Sequence, residues 1–467
     1  MRTAKNAFWL TACRLSGDVL NLLLFILLSR RFGPAGVGEY SYAFAVATMG
    51  FVISCLGIEE YGIRQYARLS PQAQGPFMAE LLGTQSVMLG IAVVALFIYI
   101  LVTAPSAEKL AIVLELSCYQ LTAATAMSLF IPQMASQNMA RPALTEFLAR
   151  SIACLCAAAA LYFLAAPLNV ALLSFPLAAV VWLLLAARSA HRDDRLRVTV
   201  TREGVQRIAS IIWSFALIEI FVQLFSRVGV IVLSLAISDA AAGQFATGLR
   251  LIETALVPLG FFGLALYPRL SQLFATDRRR FRRTAAQMIW AMFLAGLVVA
   301  WGLYFVAPIL LVPVLGERFA SAEPLMQIMS VLALVTAIEA GLGRTLLSAD
   351  KQVSRAIFIA VGGGVSLGLN VALVPLLDVD GAVLAGTGGY LVIIALSFWS
   401  LRNTLSAREL VPLVATIIGC GPILFVVDSL VSGNGLGLLA EGLACGGVLL
   451  LLCCSAYMYC LRPYAKS

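Results

Sequence analysis

The chain has 467 residues, 61% of them hydrophobic and 12% charged, with a mean hydropathy of +0.95. Charged residues make up about 25% of ordinary soluble domains, so this composition excludes a soluble globular protein and implies an integral membrane protein. The formal net charge of +8 comes from basic residues spread over short connections, which argues against nucleic acid as a partner and for membrane topology as the cause.

With about 20 apolar residues per span, the sequence predicts an all-α protein of about fourteen transmembrane helices. These lie at 8–30, 40–63, 78–103, 109–135, 146–166, 168–187, 210–237, 241–272, 284–307, 323–347, 355–377, 380–402, 410–431 and 435–460. The first helix carries Arg14 and Asp18, is too long for a signal-peptide core, and runs into Arg30 and Arg31 without a small-residue cleavage site. It is expected to remain as a membrane helix.

Arg14, Asp18 and Asn21 sit at i, i+4 and i+7 in this helix, so they share one face. The seventh helix has the same arrangement in Glu219, Gln223 and Ser226, at a constant offset of 205 residues. Ionisable groups at a helix centre cost about 2.5–3.5 kcal/mol each on insertion scales, so they face a bundle interior or an aqueous path. The offset continues: Ser29 matches Ser234, Gly38 matches Gly243, Tyr40 matches Phe245 and Arg64 matches Arg269. Six helices per repeat keep both halves in one orientation, related by an axis along the membrane normal. The expected organisation is a first lobe at 1–187, a cytoplasmic linker at 188–209 holding the sole histidine, His191, a second lobe at 210–402, and two further helices with a tail at 403–467.

Strong positives fall in alternate connections: Arg64 and Arg68, Arg141, the run from Arg188 to Arg207, the cluster from Arg278 to Arg283, Lys351 and Arg355, Arg402 and Arg408, and Arg462 and Lys466. The positive-inside rule then places both termini in the cytoplasm. Arg30 and Arg31 break the pattern. All ten cysteines (Cys13, Cys55, Cys118, Cys154, Cys156, Cys420, Cys445, Cys453, Cys454 and Cys460) occupy apolar stretches. They read as small buried hydrophobes, not as disulfides or a metal site.

Two strings look enzymatic. Gly364-Val365-Ser366-Leu367-Gly368 fits a nucleophile elbow, but falls inside a predicted helix and lacks a partner histidine. Asp378-Val379-Asp380 resembles a metal-holding acidic pair, but falls in a short connection predicted to face outward, and reads as a solvated loop. The sequence has no phosphate-binding loop, HExxH or cysteine-histidine cluster. No cofactor or metal is expected.

Further ions lie within predicted spans: Glu115, Arg227, Arg250 with Glu253, Glu339 and Arg344. Two readings stand. Arg14 with Asp18, and Arg250 with Glu253, have the spacing to neutralise one another, as do Glu146 and Arg150. Alternatively, Arg14, Arg227 and Arg250 line a cationic cavity, with Asn21, Gln223 and Ser226 as its polar lining. Guanidinium suits a multiply anionic, phosphate-bearing group through its paired donors.

The stretch Leu27-Leu28-Ser29-Arg30-Arg31-Phe32-Gly33-Pro34-Ala35-Gly36-Val37-Gly38-Glu39-Tyr40, with Leu56-Gly57-Ile58-Glu59-Glu60-Tyr61-Gly62-Ile63-Arg64, resembles the opening of polysaccharide-biosynthesis membrane proteins, the O-antigen and exopolysaccharide flippases. Gly243-Gln244-Phe245, Arg250-Leu251-Ile252-Glu253, Tyr267-Pro268-Arg269-Leu270 and Leu315-Gly316-Glu317-Arg318-Phe319 are similar to later parts of that family. The resemblance runs from about residue 8 to 402. It implies a two-lobed transporter in the multidrug, oligosaccharidyl-lipid and polysaccharide exporter superfamily, in the bacterial inner membrane. Its implied substrate is an undecaprenyl-diphosphate-linked oligosaccharide, moved to the outer leaflet by alternating access. Implied partners are membrane lipids and the polysaccharide polymerase and chain-length proteins.

Asp18, Glu115, Glu219 and Glu253 are the candidates for coupling to a proton or sodium gradient. The alternatives are a peptidoglycan-precursor flippase, a multidrug or cation antiporter and, from a different class, a polysaccharide polymerase or ligase. The last is disfavoured because every predicted outer connection is short.

Overall fold

The computed structural model describes residues 2–136, 138–191, 197–402 and 404–405. The predicted helices 410–431 and 435–460, five of the ten cysteines, and part of the linker lie outside these residues. The described elements are all helical, with no strand among them. In chain order they are α1 (Arg2–Cys55), α2 (Ile58–Tyr66), α3 (Pro71–Thr103), α4 (Ala107–Leu129), α5 (Ile131–Ala135), α6 (Ala140–Phe163), α7 (Leu168–Leu172), α8 (Ser174–His191), α9 (Arg202–Ala236), α10 (Asp239–Thr276), α11 (Arg278–Trp301), α12 (Ala307–Leu315), α13 (Glu323–Ser348) and α14 (Gln352–Leu401).

Among the described residues, ten helical stretches have the length and composition to cross a bilayer. Two of them are of double length and each is broken once, so these ten stretches hold twelve candidate spans. The first break is at Gly33, with φ 69°, before Pro34. Only glycine takes that backbone conformation freely, and the proline that follows has no N–H to continue the ladder. The second is at Asp378, with φ 54°, three residues after Pro375. Both breaks fall between helices separated on sequence grounds.

Helix starts carry local caps. Thr201 accepts a hydrogen bond from the Gly204 N–H at the start of α9, and Asp277 accepts from the Arg279 and Arg280 N–H groups at the start of α11. Such caps satisfy amides that the helix itself leaves without partners.

The chain divides into two compact units at Gly243/Gln244. In the first, α1 packs against α3, α4, α6 and α9, and α4 against α8. Its core includes Leu28, Tyr42, Ile58, Leu81, Ile112, Leu116, Phe130 and Ile131, all essentially buried. Packing thus groups α9 with the first helices, whereas the 205-residue duplication groups it with the later ones. The tether is visible next to α9: the Thr199 N–H donates to the Ala79 carbonyl of α3 at 2.9 Å, and Arg207 pairs with Glu80. In the second unit α13 packs between α11 and α14 around Phe281, Phe293 and Phe319.

Ser366 is fully buried within α14, where the Asn370 amide donates to its carbonyl at 2.8 Å. It is a packed helix residue, with none of the exposure a nucleophile elbow requires. Asp378 and Asp380 are exposed. None of the five described cysteines is in a disulfide, and Cys118 and Cys156 are exposed on span surfaces instead of buried as expected. A thiol is apolar enough to face lipid.

Candidate functional site

The polar stripe of α1 meets a matching stripe on α6. Glu146, Arg150 and Cys154 recur every four residues and so share a face. Arg150 donates to Glu146 at 2.7 Å and to Asp18 at 3.2 Å, and the Cys154 thiol donates to the Asn21 side-chain oxygen at 3.2 Å. Gly17 makes room for this: a Cβ there would lie 3.0 Å from Arg150 Cδ. Asp18 is therefore paired across helices with Arg150. The side chain of Arg14 lies outside the described residues.

On α4, Glu115 is only 9% exposed, and its Oε2 has no hydrogen-bond partner among the described residues. One turn further, Tyr119 packs edge-on against Phe175 and beside Trp182 of α8. On α9, the Gln223 amide donates to Glu219 at 3.3 Å and the Ser226 hydroxyl to the Gln223 carbonyl at 3.0 Å. Glu219 is exposed. The Arg227 guanidinium lies over the Phe44 ring of α1 at 5.6 Å, an arrangement in which the ring face attracts the cation.

In the second unit, Arg250 and Glu253 of α10 approach to 3.7 Å, a loose pair. Arg355 of α14 donates to Glu339 of α13 at 3.3 Å, so Glu339 finds its partner on a neighbouring helix. Gly343 fits beside them because a Cβ would lie 2.6 Å from Arg355 Nε and 2.7 Å from Glu339 Oε1. The Tyr390 phenol is hydrogen-bonded with Thr336 and lies in the fields of both Glu339 and Glu253. Sequence spacing identified the Arg250/Glu253 pair but gave no sign of Tyr390.

A second polar cluster, where α3 ends and α4 begins, was not anticipated. The Lys109 ammonium reaches Asp239 at 2.6 Å, Ser234 at 2.7 Å and the face of Tyr42 at 4.1 Å. Ser234 in turn donates to Asp239, and the Tyr42 and Tyr99 hydroxyls bond at 2.9 Å. All three donors of the ammonium are engaged.

Beside this cluster the duplication becomes a contact. A Cβ on Gly38 would lie 1.7 Å from the Asp239 carbonyl oxygen, and one on Gly243 would lie 1.9 Å from that of Pro34. Pro34 and Asp239 differ by the same 205 residues as Gly38 and Gly243, so the contact is reciprocal. The two backbones touch where only glycine permits it. Arg31 belongs to structure as well: its guanidinium donates to the Leu161 carbonyl at 2.7 Å, near the end of α6. Cations at a helix C-terminus are favoured by the exposed carbonyls, which explains why this arginine departs from the charge pattern.

Residues 3–274 match the family described as polysaccharide biosynthesis proteins. The chain belongs to this family. Among solved structures it resembles the lipid II flippase MurJ in an inward closed conformation, with 12% identity, coverage of 96% of this chain and 98% of that one, and a TM-score of 0.73. It also resembles an inward-facing MATE multidrug resistance transporter of the MOP superfamily, with 15% identity, coverage of 83% and 94%, and a TM-score of 0.65. The eukaryotic MATE transporter AtDTX14 follows at 11% identity, 86% and 95% coverage and a TM-score of 0.54. At these identities the likeness concerns the fold. No curated protein gives a significant match. This member of the polysaccharide biosynthesis family is thus a multi-pass membrane protein whose fold resembles those of the MurJ and MATE structures.

Proposed function

We propose that the protein is a flippase that carries an undecaprenyl-diphosphate-linked oligosaccharide from the cytoplasmic to the outer leaflet of the inner membrane by alternating access, for polysaccharide assembly. The observation that carries this reading is the placement of guanidinium groups on otherwise apolar spans, in a chain of a polysaccharide biosynthesis family. Arg227 is anchored over Phe44 and Arg250 is held loosely by Glu253. A guanidinium presents five N–H groups in a planar fork that matches the oxygens of a diphosphate.

The polyprenyl tail can stay in lipid. The diphosphate and sugar hydroxyls lose their water in hydrocarbon, and the protein must offer replacement hydrogen bonds and charge. Arg14, Arg227 and Arg250 supply charge, and Asn21, Gln223 and Ser226 supply hydrogen bonds. Rocking of the two repeats against one another would expose the bound headgroup to each side in turn.

For coupling to a proton or sodium gradient, Glu115 is the strongest of the four candidates. Asp18 is occupied by Arg150, Glu219 by Gln223 and Glu253 by Arg250, while Glu115 is buried with one carboxyl oxygen unsatisfied. Transport by Glu115→Gln that still responds fully to a collapsed gradient would remove this assignment.

A peptidoglycan-precursor substrate is the second reading, favoured by the structural likeness to the lipid II flippase. Flipping of a defined lipid-linked oligosaccharide in proteoliposomes, compared with lipid II, separates the two. Transport of lipid II alone contradicts the proposal.

A further inference from the structure

Between two bilayer-length helices the chain turns on a single residue. α10 ends at Thr276 and α11 starts at Arg278, each within a stretch long and apolar enough to cross a membrane, and only Asp277 separates them. The next six residues hold five arginines: Arg278, Arg279, Arg280, Arg282 and Arg283. Helix physics disfavours them there, because the first turn already carries the positive end of the macrodipole. Asp277 caps α11 and pairs with Arg280 at 3.3 Å. Arg278 lies over the Phe274 ring at 3.4 Å.

Arg279 and Arg282, one turn apart and exposed, have neither a carboxylate nor a ring among the described residues. Phe281 between them is fully buried and meets Phe274 edge-on at 5.0 Å. The aromatic side fixes the turn and the guanidinium side faces outward. Both flanking helices have the length and composition to cross the bilayer, which puts the turn between them on one face of the membrane, within reach of the headgroups. The abundant anions at that depth are lipid phosphates.

We propose that Arg278–Arg283 forms a binding site for the phosphate headgroups of anionic phospholipids. Guanidinium and phosphate match through paired, charge-assisted hydrogen bonds, and clusters of this size beside a membrane helix recruit anionic lipid. The site is separate from Arg227 and Arg250, so it stands whether or not the substrate reading does. Orientation of the helices alone would require positive charge but no preference among bound lipids.

The test uses the full chain, purified in detergent and titrated with phosphatidylglycerol or phosphatidylcholine, with bound lipid counted by native mass spectrometry. The parent should prefer phosphatidylglycerol, and a variant with Arg279→Gln, Arg280→Gln and Arg282→Gln should lose affinity for it on the order of a hundredfold. A control with Arg64→Gln, Arg68→Gln and Arg141→Gln should keep the preference. If the triple variant does not fold, Arg282→Gln alone should weaken phosphatidylglycerol binding about fivefold. Unchanged phosphatidylglycerol binding in the variants, an equal loss in the control, or equal binding of both lipids by the parent would overturn the proposal.

Discussion

The two polar stripes, on α1 and on α9, are repeats of one pattern 205 residues apart, yet they bond in different ways. Asp18 and Asn21 reach across to Arg150 and Cys154 of α6. Glu219, Gln223 and Ser226 bond only along their own helix in the contacts resolved for them. Duplication preserved where the polar residues stand but not what they hold. The first stripe is in large part a packing face, which joins two helices through Arg150. The second is closer to a free lining, with an exposed carboxylate and Arg227 next to it.

The comparison can be broken first at Arg150. Arg150→Ala strands Glu146, which is nearly buried, along with Asp18. It should lower stability by about 2–3 kcal/mol, the range for charge-assisted hydrogen bonds of a partly buried guanidinium, while Glu219→Gln should change it by less than about 0.5 kcal/mol. Thermal unfolding in detergent reads both, and equal losses would erase the distinction between the stripes.

Next come the reciprocal glycines. Gly38→Ala and Gly243→Ala should each cost about 1–3 kcal/mol, because a methyl group has no space against the facing carbonyl. Their double variant should cost less than the sum, since one displacement of the backbones relieves both clashes. Additive losses would mean that the two contacts are independent and that the duplication has no local symmetry there.

Lys109→Met should cost about 1–2 kcal/mol by leaving Asp239 with only the Ser234 hydroxyl. Asp239→Asn in the same background should recover part of that loss. No recovery would show that the ammonium acts through Tyr42 and not through the carboxylate.

The smallest effect is expected at Glu115. Glu115→Gln should leave the unfolding temperature within a few degrees of the parent, because the carboxyl oxygen it replaces has no partner to lose. A large stabilisation or destabilisation would instead make Glu115 a structural group.

Much of this was legible in the sequence because it is local. A run of about 20 apolar residues specifies a span, Gly33-Pro34 marks a break, and the spacings of Glu146 with Arg150 and of Arg250 with Glu253 follow from the helical repeat. Arg150 with Asp18, Lys109 with Asp239 and Glu339 with Arg355 were not legible. In a chain that is apolar on every side, hydrophobic periodicity does not fix how each helix is rotated. A partner 130 residues away is chosen by packing. The exposure of Cys118 and Cys156 escaped for the same reason.

The central claim concerns arginines that hold a diphosphate, and proteoliposome flipping of a lipid-linked oligosaccharide tests it most directly. Arg227→Ala and Arg250→Ala, each inserted and folded like the parent, should reduce the flipping rate at least tenfold, and Glu219→Gln should reduce it less. Parental rates in both arginine variants would contradict the account.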